Sequence, residues 1–178
     1  MSNIKVEYPR LTDAEAVKSI QDSWLGARIG SEGFLLSPES LDRLHEIIES
    51  RNILVARRAD EIVSYITFYR RDEWESHHPG YTANLEYKSE ELRESHVDAD
   101  YVVIDHIARS RSYTGDAAVR LVIHLKGMLR DWRVGRFLGE ISPENQRSAA
   151  FFVKTLRATR IGSTVRDDIP WDIYEAPA

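Results

Sequence analysis

The sequence predicts an α/β protein with a mixed sheet, and three features support that prediction. The chain has 178 residues, of which 42% are hydrophobic, so it can bury a core as one domain. Short β-rich runs alternate along it with runs that have a helical apolar period. Between residues 101 and 156 the order is strand, polar turn, long helix, strand and helix, which is typical of α/β architecture.

The N-terminal part of the chain predicts a strand and then a helix. Residues 4–8 alternate apolar and polar side chains, as a half-buried strand does. Thr12 and Glu15 have the spacing of a capping box and predict a helix that runs towards Trp24. Three glycines then break the helical pattern and predict a flexible segment: Gly26, Gly30 and Gly33.

A second helix and a hairpin come next along the chain. Ser37 and Pro38 predict the start of the helix, with Ser37 as its N-cap and Pro38 in the first helical position. One apolar stripe identifies its buried face: Leu41, Leu44, Ile47 and Ile48. Residues 53–57 and 62–69 are two β-rich runs around a short polar loop, and they predict an antiparallel hairpin.

The segment from 72 to 98 is polar and aromatic, and only residues 90–94 have a helical pattern. Long connections of this kind are often binding loops or lids. Residues 160–165 and 169–174 predict two strands at the end of the chain. The sequence contains no internal repeat, low-complexity tract or clear linker.

Composition narrows the class of protein. The chain has no cysteine, which excludes disulfides, a thiol nucleophile and a thiolate metal site. It has no apolar run near the ~18 residues of a membrane span and no apolar signal sequence at its start, so we expect a cytoplasmic protein that binds no membrane. A formal net charge of −5 argues against a large nucleic-acid interface, so no nucleic-acid partner is expected.

The turn at 109–117 carries the main functional signal. It comes after the strand at 101–108 and leads through Gly115 into a helix that ends at about Trp132. A glycine at the start of a helix lets backbone N–H groups face outward at the positive end of the helix dipole. Such a turn suits a pyrophosphate, although many strand-to-helix turns contain a glycine only to shape the backbone.

The residues after this helix make the signal more specific. A strand at 136–141 leads into Pro143-Glu144-Asn145 and a helix at 146–156. This order resembles the GNAT N-acetyltransferase superfamily, whose core couples a Q/R-x-x-G-x-G/A loop to a helix and then a strand to an N-x-x-A-x-x-F-Y-x-K-L-G-F-like helix. The residues that fit these two patterns are Gly115, Ala117, Asn145, Phe151, Lys154 and Leu156.

The chain also departs from the family pattern. Ser112 stands where Gln or Arg is usual, and Asp116 places a carboxylate between the two small residues of the loop. Phe152 replaces the Tyr that serves as general acid in many members. In the same helix Ser148 replaces Ala and Arg157 replaces Gly. The resemblance covers about a third of the chain closely and the rest in element order only.

The resemblance implies a GNAT-like, mixed, mostly antiparallel sheet of about six to seven strands with helices on both faces. It implies one domain over residues 1–178, with an insertion at about 72–98. The implied activity is transfer of an acetyl or other acyl group from coenzyme A to an amine by direct attack, with acetyl-CoA or another acyl-CoA as cofactor. The residues that it assigns to cofactor binding are Ile107, Arg109, Ser112, Tyr113, Thr114, Gly115, Ala117 and Asn145.

The reaction needs a base for the amine, and Asp105 is the first candidate. Strand alternation puts Asp105 on the same face as Ile107, whose position offers backbone groups to the acyl carbonyl in the family. Glu140, on the next strand, is the second candidate. His106 has a better-suited pKa, but alternation turns it to the opposite face. A structural salt bridge with an arginine is the alternative role for Asp105.

The acid and the acceptor are less defined. Phe152 cannot donate a proton, so Tyr113 and Tyr174 are the candidate substitutes. His77, His78 and His96 lack metal-ligand spacing, and no metal is expected. The acceptor is a small-molecule or peptide amine, and a homodimer is compatible with the sequence. Two rivals stay open: a non-catalytic GNAT-fold module that binds a ligand or protein, and a transferase that uses a longer acyl chain.

Overall fold

The structure is a computed structural model, and it describes residues 4–25, 38–166 and 168–178. The glycine-rich segment at Gly26, Gly30 and Gly33 lies outside the described residues, as does Ser37. The strands in the described part are β1 Ile4–Glu7, β2 Ile53–Arg58, β3 Glu61–Arg70, β4 Glu86–Tyr87, β5 Val102–Arg109, β6 Arg136–Ile141, β7 Thr159–Arg166 and β8 Ile169–Pro177.

The helices of the described residues are α1 Ala14–Ser23, α2 Leu41–Glu49, α3 Arg71–His77, α4 Glu90–Val97, α5 Ala117–Asp131 and α6 Gln146–Ala150. A π-helical turn, Phe151–Thr155, continues α6. The described strands form one eight-stranded sheet in the order β1-β2-β3-β5-β6-β8-β7-β4. The predicted mixed, mostly antiparallel sheet is therefore confirmed, with slightly more strands than the six to seven expected.

The chain divides into two compact units. The first contains the described residues of Met1–Arg28, Phe34–Phe68 and Asp105–Gly127. The second contains those of Ile29–Gly33, Tyr69–Ile104 and Met128–Ala178. That residues 1–178 act as one domain stays a prediction.

In the first unit the predicted hairpin is confirmed. β2 pairs antiparallel with β1 and with β3. Leu44 and Ile47 of α2 are fully buried, as is β2 from Ile53 to Ala56. Consecutive residues of a strand point to opposite faces of the sheet, so both faces of β2 are covered and contribute to the hydrophobic core.

Both predicted helix starts in this unit are wrong in detail. α2 begins at Leu41, because the Ser40 hydroxyl accepts a hydrogen bond from the Arg43 N–H (3.1 Å) and so caps the helix. Pro38 therefore precedes the helix. The expected capping box of Thr12 and Glu15 is replaced by a 3₁₀ turn over Leu11–Asp13, whose Asp13 carboxylate accepts from the Arg10 N–H (2.8 Å).

In the second unit β5 and β6 run parallel, and Val102–Ile104 pair with Phe137–Gly139. β8 pairs antiparallel with β6 and with β7. The segment 72–98 is more regular than expected, because it holds α3, β4 and α4. Its β4 joins β7 next to Gly162, where a Cβ would lie 2.5 Å from the Glu86 carbonyl oxygen.

The helix predicted at 90–94 is confirmed and extends to Val97. It carries His96, which is fully buried and lies 2.5 Å from the Glu175 carboxylate through Nε2. Arg136 donates to the same carboxylate (3.1 Å). Burial acts to raise the pKa of Glu175, but the bonds to His96 and Arg136 outweigh it and hold the pKa below its usual range. His96 therefore belongs to a structural hydrogen-bond network.

Phe152 packs its ring directly onto the backbone of β6. A Cβ at Gly139 would lie 2.5 Å from Phe152 Cζ and closer still to Cε1, so only glycine leaves room for the ring. Phe152 is buried and lies edge-on to Phe137 and Phe151. Phe152 thus serves the core of this unit.

Replacing Gly139 by alanine tests this packing. Because the strand and the ring are both buried, the overlap should lower the free energy of unfolding by about 1–3 kcal/mol. Gly135→Ala is the matched control, since nothing lies within 4 Å of the position of its new Cβ. Urea unfolding measures both variants, and Gly139→Ala combined with Phe152→Leu should regain part of the loss. An equal effect of the two single variants contradicts the packing.

Candidate functional site

The turn after β5 is built from hydrogen bonds to neighbouring elements. The Ser110 N–H donates to the Val63 carbonyl (2.8 Å), and the Trp24 indole donates to the Arg109 carbonyl (2.7 Å). The Tyr113 N–H donates back to the Ser110 carbonyl (3.2 Å) and closes the turn. The polar loop predicted from sequence is therefore a fixed connection.

Gly115 lies under the ring of Tyr113. A Cβ at Gly115 would lie 2.5 Å from Tyr113 Oη, so the close approach of the ring requires glycine here. The Arg109 guanidinium donates to the Tyr113 carbonyl. Tyr113 is buried, whereas Thr114 and Ser112 are exposed beside it. The structure thus brings Arg109, Tyr113 and Gly115 together and leaves the tip of the turn open.

The start of α5 follows directly on the turn. The Arg120 N–H donates to the Asp116 carbonyl (3.0 Å), so Asp116 immediately precedes the first helical residue, Ala117. The Asp116 carboxylate instead accepts from Arg120 Nε (2.9 Å). First-turn N–H groups have no acceptor within a helix, and they lie at the positive end of its dipole. The arrangement can bind an anion.

Ile107 lies in the half-buried second part of β5. The described pairing of β5 with β6 ends at Ile104, so Ile107 comes after the last paired residue along the strand. Its backbone role towards an acyl group stays a prediction.

Asp105 and His106 do not point apart as alternation predicted. Nδ1 of His106 lies 3.9 Å from Oδ2 of Asp105. Side-chain hydroxyls also bond to the backbone of β5 at this point: the His106 N–H donates to the Thr67 hydroxyl (2.9 Å), and the Ser64 hydroxyl donates to the Ala108 carbonyl (2.6 Å). The expectation that His106 faces away from Asp105 is wrong, since alternation fixes the direction of the Cα–Cβ bonds and leaves the ring nitrogen free to approach the neighbouring carboxylate.

Glu39 completes a cluster with Asp105 and His106. One polar atom from each of the three side chains lies within 4.8 Å of the other two, and all three side chains are half-buried. We call these residues the acidic cluster. Among the described residues they are the group whose spacing would also admit a metal ion. No arginine salt bridge to Asp105 accompanies them in the described part of the chain.

Two buried polar side chains border the acidic cluster. Tyr65 and Gln21 are both fully buried, and Gln21 Oε1 accepts from the Glu39 N–H (3.1 Å). Burial raises the pKa of Tyr65; a side-chain hydrogen bond with Gln21 opposes the shift, and the charges of Asp105 and Glu39 add to it. The Gln21 amide is the group that faces the Tyr65 hydroxyl, and among the described residues His106 Nδ1 has no hydrogen-bond partner.

The cluster also changes the acidity of Glu39. Burial, together with the negative charge of Asp105, raises the pKa of Glu39, and the nearby His106 and Arg43 only partly oppose the shift. A carboxyl group with a raised pKa is a better proton acceptor near neutral pH. Sequence analysis missed Glu39 because it looked like an ordinary residue at a helix start. Nothing in its spacing indicates contact with β5.

Glu140 belongs to a different set of contacts, within the second unit. Its carboxylate lies 2.8 Å from Nη1 of Arg166 and is 6% exposed. The Arg166 guanidinium lies over the rings of Trp74 (5.6 Å) and Trp171 (5.3 Å). Burial raises the pKa of Tyr81 well above its usual range, and the charge of Glu140 adds to that effect. These contacts indicate a structural ion pair, while a role of Glu140 as base stays a prediction.

Two more residues of the second unit were predicted to take part in cofactor binding or proton donation. Asn145 caps α6, since its Oδ1 accepts from the Ser148 N–H (3.2 Å), and its role in cofactor binding stays a prediction. Tyr174 is buried, with its ring 6.3 Å from Phe152. Burial raises the pKa of Tyr174, which makes it a weaker proton donor.

Comparison with solved structures identifies the fold. A GNAT-family acetyltransferase from Streptococcus agalactiae superimposes with a TM-score of 0.71 at 14% identity, over 98% of this chain and 95% of that one. The chain has the GNAT fold. A Drosophila melanogaster polyamine N-acetyltransferase, which forms N-acetylagmatine, gives a TM-score of 0.67 at 13% identity, over 99% of this chain and 100% of that one.

A third similar structure is a chain of the NatC complex bound to Gag peptide and CoA. It gives a TM-score of 0.64 at 12% identity and covers 99% of both chains. No family model matches the sequence, and no curated protein matches it. None of the helices in the described residues has the length and apolar content that crossing a membrane requires.

Replacing Glu39 by glutamine should stabilise the protein at neutral pH. Because the pKa of Glu39 is raised by folding, the unfolded chain releases this proton first, and stability falls as the pH rises from about 4.5 through the folded pKa. Glutamine does not titrate, so the variant does not lose this stability. Its Tm should exceed the wild-type value at pH 7, by about 2–4 °C for each kcal/mol of unfolding free energy that is regained. Near pH 4 the two Tm values should be equal.

Thermal unfolding between pH 4 and pH 8 measures the difference at each pH. Glu49→Gln, on the exposed face of α2, is the matched control and should show no such trend. A Glu39→Gln variant that is less stable than wild type at pH 7 contradicts the raised pKa.

Proposed function

We propose that this protein is a coenzyme A-dependent N-acyltransferase that moves an acetyl or other acyl group to an amine. The observation that carries the proposal is the combination, in one unit of a GNAT fold, of the exposed turn that leads into α5 and the acidic cluster. Function does not follow from a fold alone, so the proposal rests on these residues. We place the activity in the cytoplasm, which suits a chain without cysteine.

The turn at Ser112–Ala117 holds the pyrophosphate of acetyl-CoA or another acyl-CoA in this proposal. Its donors are the first-turn N–H groups of α5, with the exposed Ser112 and Thr114 side chains at the tip of the turn. Tyr113 and Arg109 fix the shape of the turn from below. The Asp116 carboxylate is engaged by Arg120, which offsets its charge near the phosphates. Ile107 offers its backbone to the acyl carbonyl.

Asp105 is the proposed base, with His106 and Glu39 beside it. An aliphatic ammonium has a pKa of about 10.4, so it must lose a proton before its nitrogen can attack. Asp105 takes that proton, the nitrogen bonds to the acyl carbon, and the carbon–sulfur bond breaks as the thiolate leaves. The second proton of the nitrogen ends on the thiolate, and the products are an amide and coenzyme A.

The thiolate has no obvious tyrosine donor. Phe152 is packed in the core, and Tyr113 and Tyr174 are both buried. A thiol has an ordinary pKa near 8.5, so its departure near neutral pH does not require a strong acid. We propose that this proton reaches the thiolate from the attacking nitrogen through solvent.

The acceptor is a small-molecule or peptide amine. The Drosophila neighbour acts on a small amine, and the NatC chain was solved with a peptide, so the fold serves both classes. In this proposal the segment 72–98 is an insertion that contributes α3 and α4 to a single domain, and assembly as a homodimer is compatible with it.

Thr114→Glu tests coenzyme A binding. The exposed side chain places a new charge at the tip of the turn, where it should repel phosphates and weaken acetyl-CoA binding by about tenfold at low salt, less at high salt. Thr114→Gln is the isosteric control and should bind as the wild type does. Calorimetric titration with acetyl-CoA measures the Kd, and no binding by the wild type at millimolar ligand overturns the cofactor assignment.

Asp105→Asn tests the base. Loss of a positioned general base should lower kcat/KM by about 10²–10⁴-fold at neutral pH, with partial recovery at high pH, where the amine loses its proton to solvent. The measurement is a pH–rate profile with an amine that the wild-type protein acylates. The His106→Gln variant is measured in the same way for comparison. If Asp105→Asn changes only the stability and leaves the profile as it is, Asp105 is structural.

A further inference from the structure

Arg111 lies at a corner of the turn that leads into α5, and its guanidinium rests on an aromatic ring. The bond from the Tyr113 N–H to the Ser110 carbonyl (3.2 Å) closes the turn and makes Arg111 its second residue. The guanidinium carbon of Arg111 lies 4.7 Å from the centre of the Trp24 ring, a distance at which a cation and an indole ring attract each other. Arg111 is nevertheless exposed, so its charge is held in place without being removed from solvent.

Trp24 is itself fixed to the backbone of the same turn. Its indole N–H donates to the Arg109 carbonyl (2.7 Å), and its side chain is buried. The N–H edge of the ring therefore bonds to the turn, while its face carries the Arg111 guanidinium. An arginine side chain loses rotamer freedom when it binds a ligand, and a guanidinium that already rests on a fixed ring loses less of it.

Of the three arginines in residues 109–120, Arg111 is the one without an oxygen partner among the described residues. The Arg109 guanidinium donates to a main-chain carbonyl of the turn, and Arg120 pairs with the Asp116 carboxylate (2.9 Å). The same range contains three arginines and one aspartate, in a chain whose net charge is −5. Positive charge is therefore concentrated at this turn, which favours an anionic ligand.

Acyl-coenzyme A carries two kinds of phosphate with different needs. In the proposed function the first-turn N–H groups of α5 hold the pyrophosphate, and such backbone donors supply only partial charges. The 3′-phosphate of the ribose is a monoester with a charge of about −1.5 to −2 at pH 7, so it needs a full cation. An edge of a planar guanidinium presents two N–H groups that match two phosphate oxygens, and stacking on a ring occupies a face and leaves the edges accessible.

We propose that Arg111, held on Trp24, binds the 3′-phosphate of coenzyme A and makes the protein select coenzyme A over 3′-dephospho-coenzyme A. The inference rests on the proposed binding of acyl-CoA at the turn Ser112–Ala117, and it adds a specificity-determining residue just outside that range. Arg109 stabilises the turn from within, whereas Arg111 contacts the ligand.

The experiment compares coenzyme A with 3′-dephospho-coenzyme A, which differ only in this phosphate. Calorimetric titration of the full chain at low salt measures both Kd values. We expect the wild type to bind coenzyme A about tenfold more tightly than the dephospho form, and Arg111→Gln to lose that factor for coenzyme A alone. Equal binding of the two ligands by the wild type overturns the inference. An Arg111→Gln variant that binds both ligands more weakly by the same factor also overturns it, because Arg111 then acts on a part that the two ligands share.

Two further variants define the contact. Arg111→Lys keeps the charge but loses the planar fork, so it should retain only part of the preference for coenzyme A. Arg51→Gln is the matched control, because Arg51 is also exposed and its guanidinium also lies over an aromatic ring, that of Tyr8 (5.4 Å). It should bind both ligands as the wild type does. If Arg51→Gln loses as much of the preference as Arg111→Gln, the effect is one of total charge and the assignment is wrong.

Amine acylation separates this inference from the proposed function. A protein that prefers coenzyme A through Arg111 but acylates no amine supports the 3′-phosphate contact and rejects the transferase function. A protein that acylates an amine with equal kcat/KM for acetyl-CoA and its 3′-dephospho form supports the function and rejects this inference. A wild-type protein that binds neither ligand at millimolar concentration overturns both.

Discussion

The parallel pairing of β5 with β6 is the constraint on which the arrangement of the chain depends. Parallel neighbours cannot be joined by a tight turn, so the chain must leave the end of β5 and return through a crossover. α5 is that crossover. Its first turn begins at Ala117, twelve residues after Asp105, so the helix start and the carboxylate lie on one short stretch of sequence for a topological reason. Side chains that are carried by strands and helices are held in position more precisely than side chains on loops.

Much of the fold was predictable because its signals are local. Two β-rich runs around a short loop indicate the hairpin of β2 and β3. A glycine between a strand and a helix indicates the turn at Gly115. The helix starts were harder. Ser37 and Ser40 both offer a plausible cap, and only tertiary contacts such as the bond from Glu39 to Gln21 favour the later one. β4 was missed because two residues are too few to show a pattern.

The candidate site was only half predictable. Asp105 and the turn around Gly115 lie on one continuous stretch of sequence, so pattern reasoning reaches them. Glu39 reaches Asp105 only through folding, and no local periodicity encodes a contact over that separation. His106 was assigned to the wrong face because alternation describes an ideal ladder. Side-chain contacts, such as the bond from the His106 N–H to the Thr67 hydroxyl, are not encoded by a period of two.

The tight approach of β4 to Gly162 has a consequence for the solubility of the protein. β4 is the last strand of the sheet, and its two residues cover part of the eight-residue β7. Long uncovered edges can pair with the edges of other molecules, and a very short edge strand is one means of preventing that. A side chain at position 162 would push β4 away and uncover β7, which already exposes Val165. The absence of one methyl group thus protects the folded chain against aggregation.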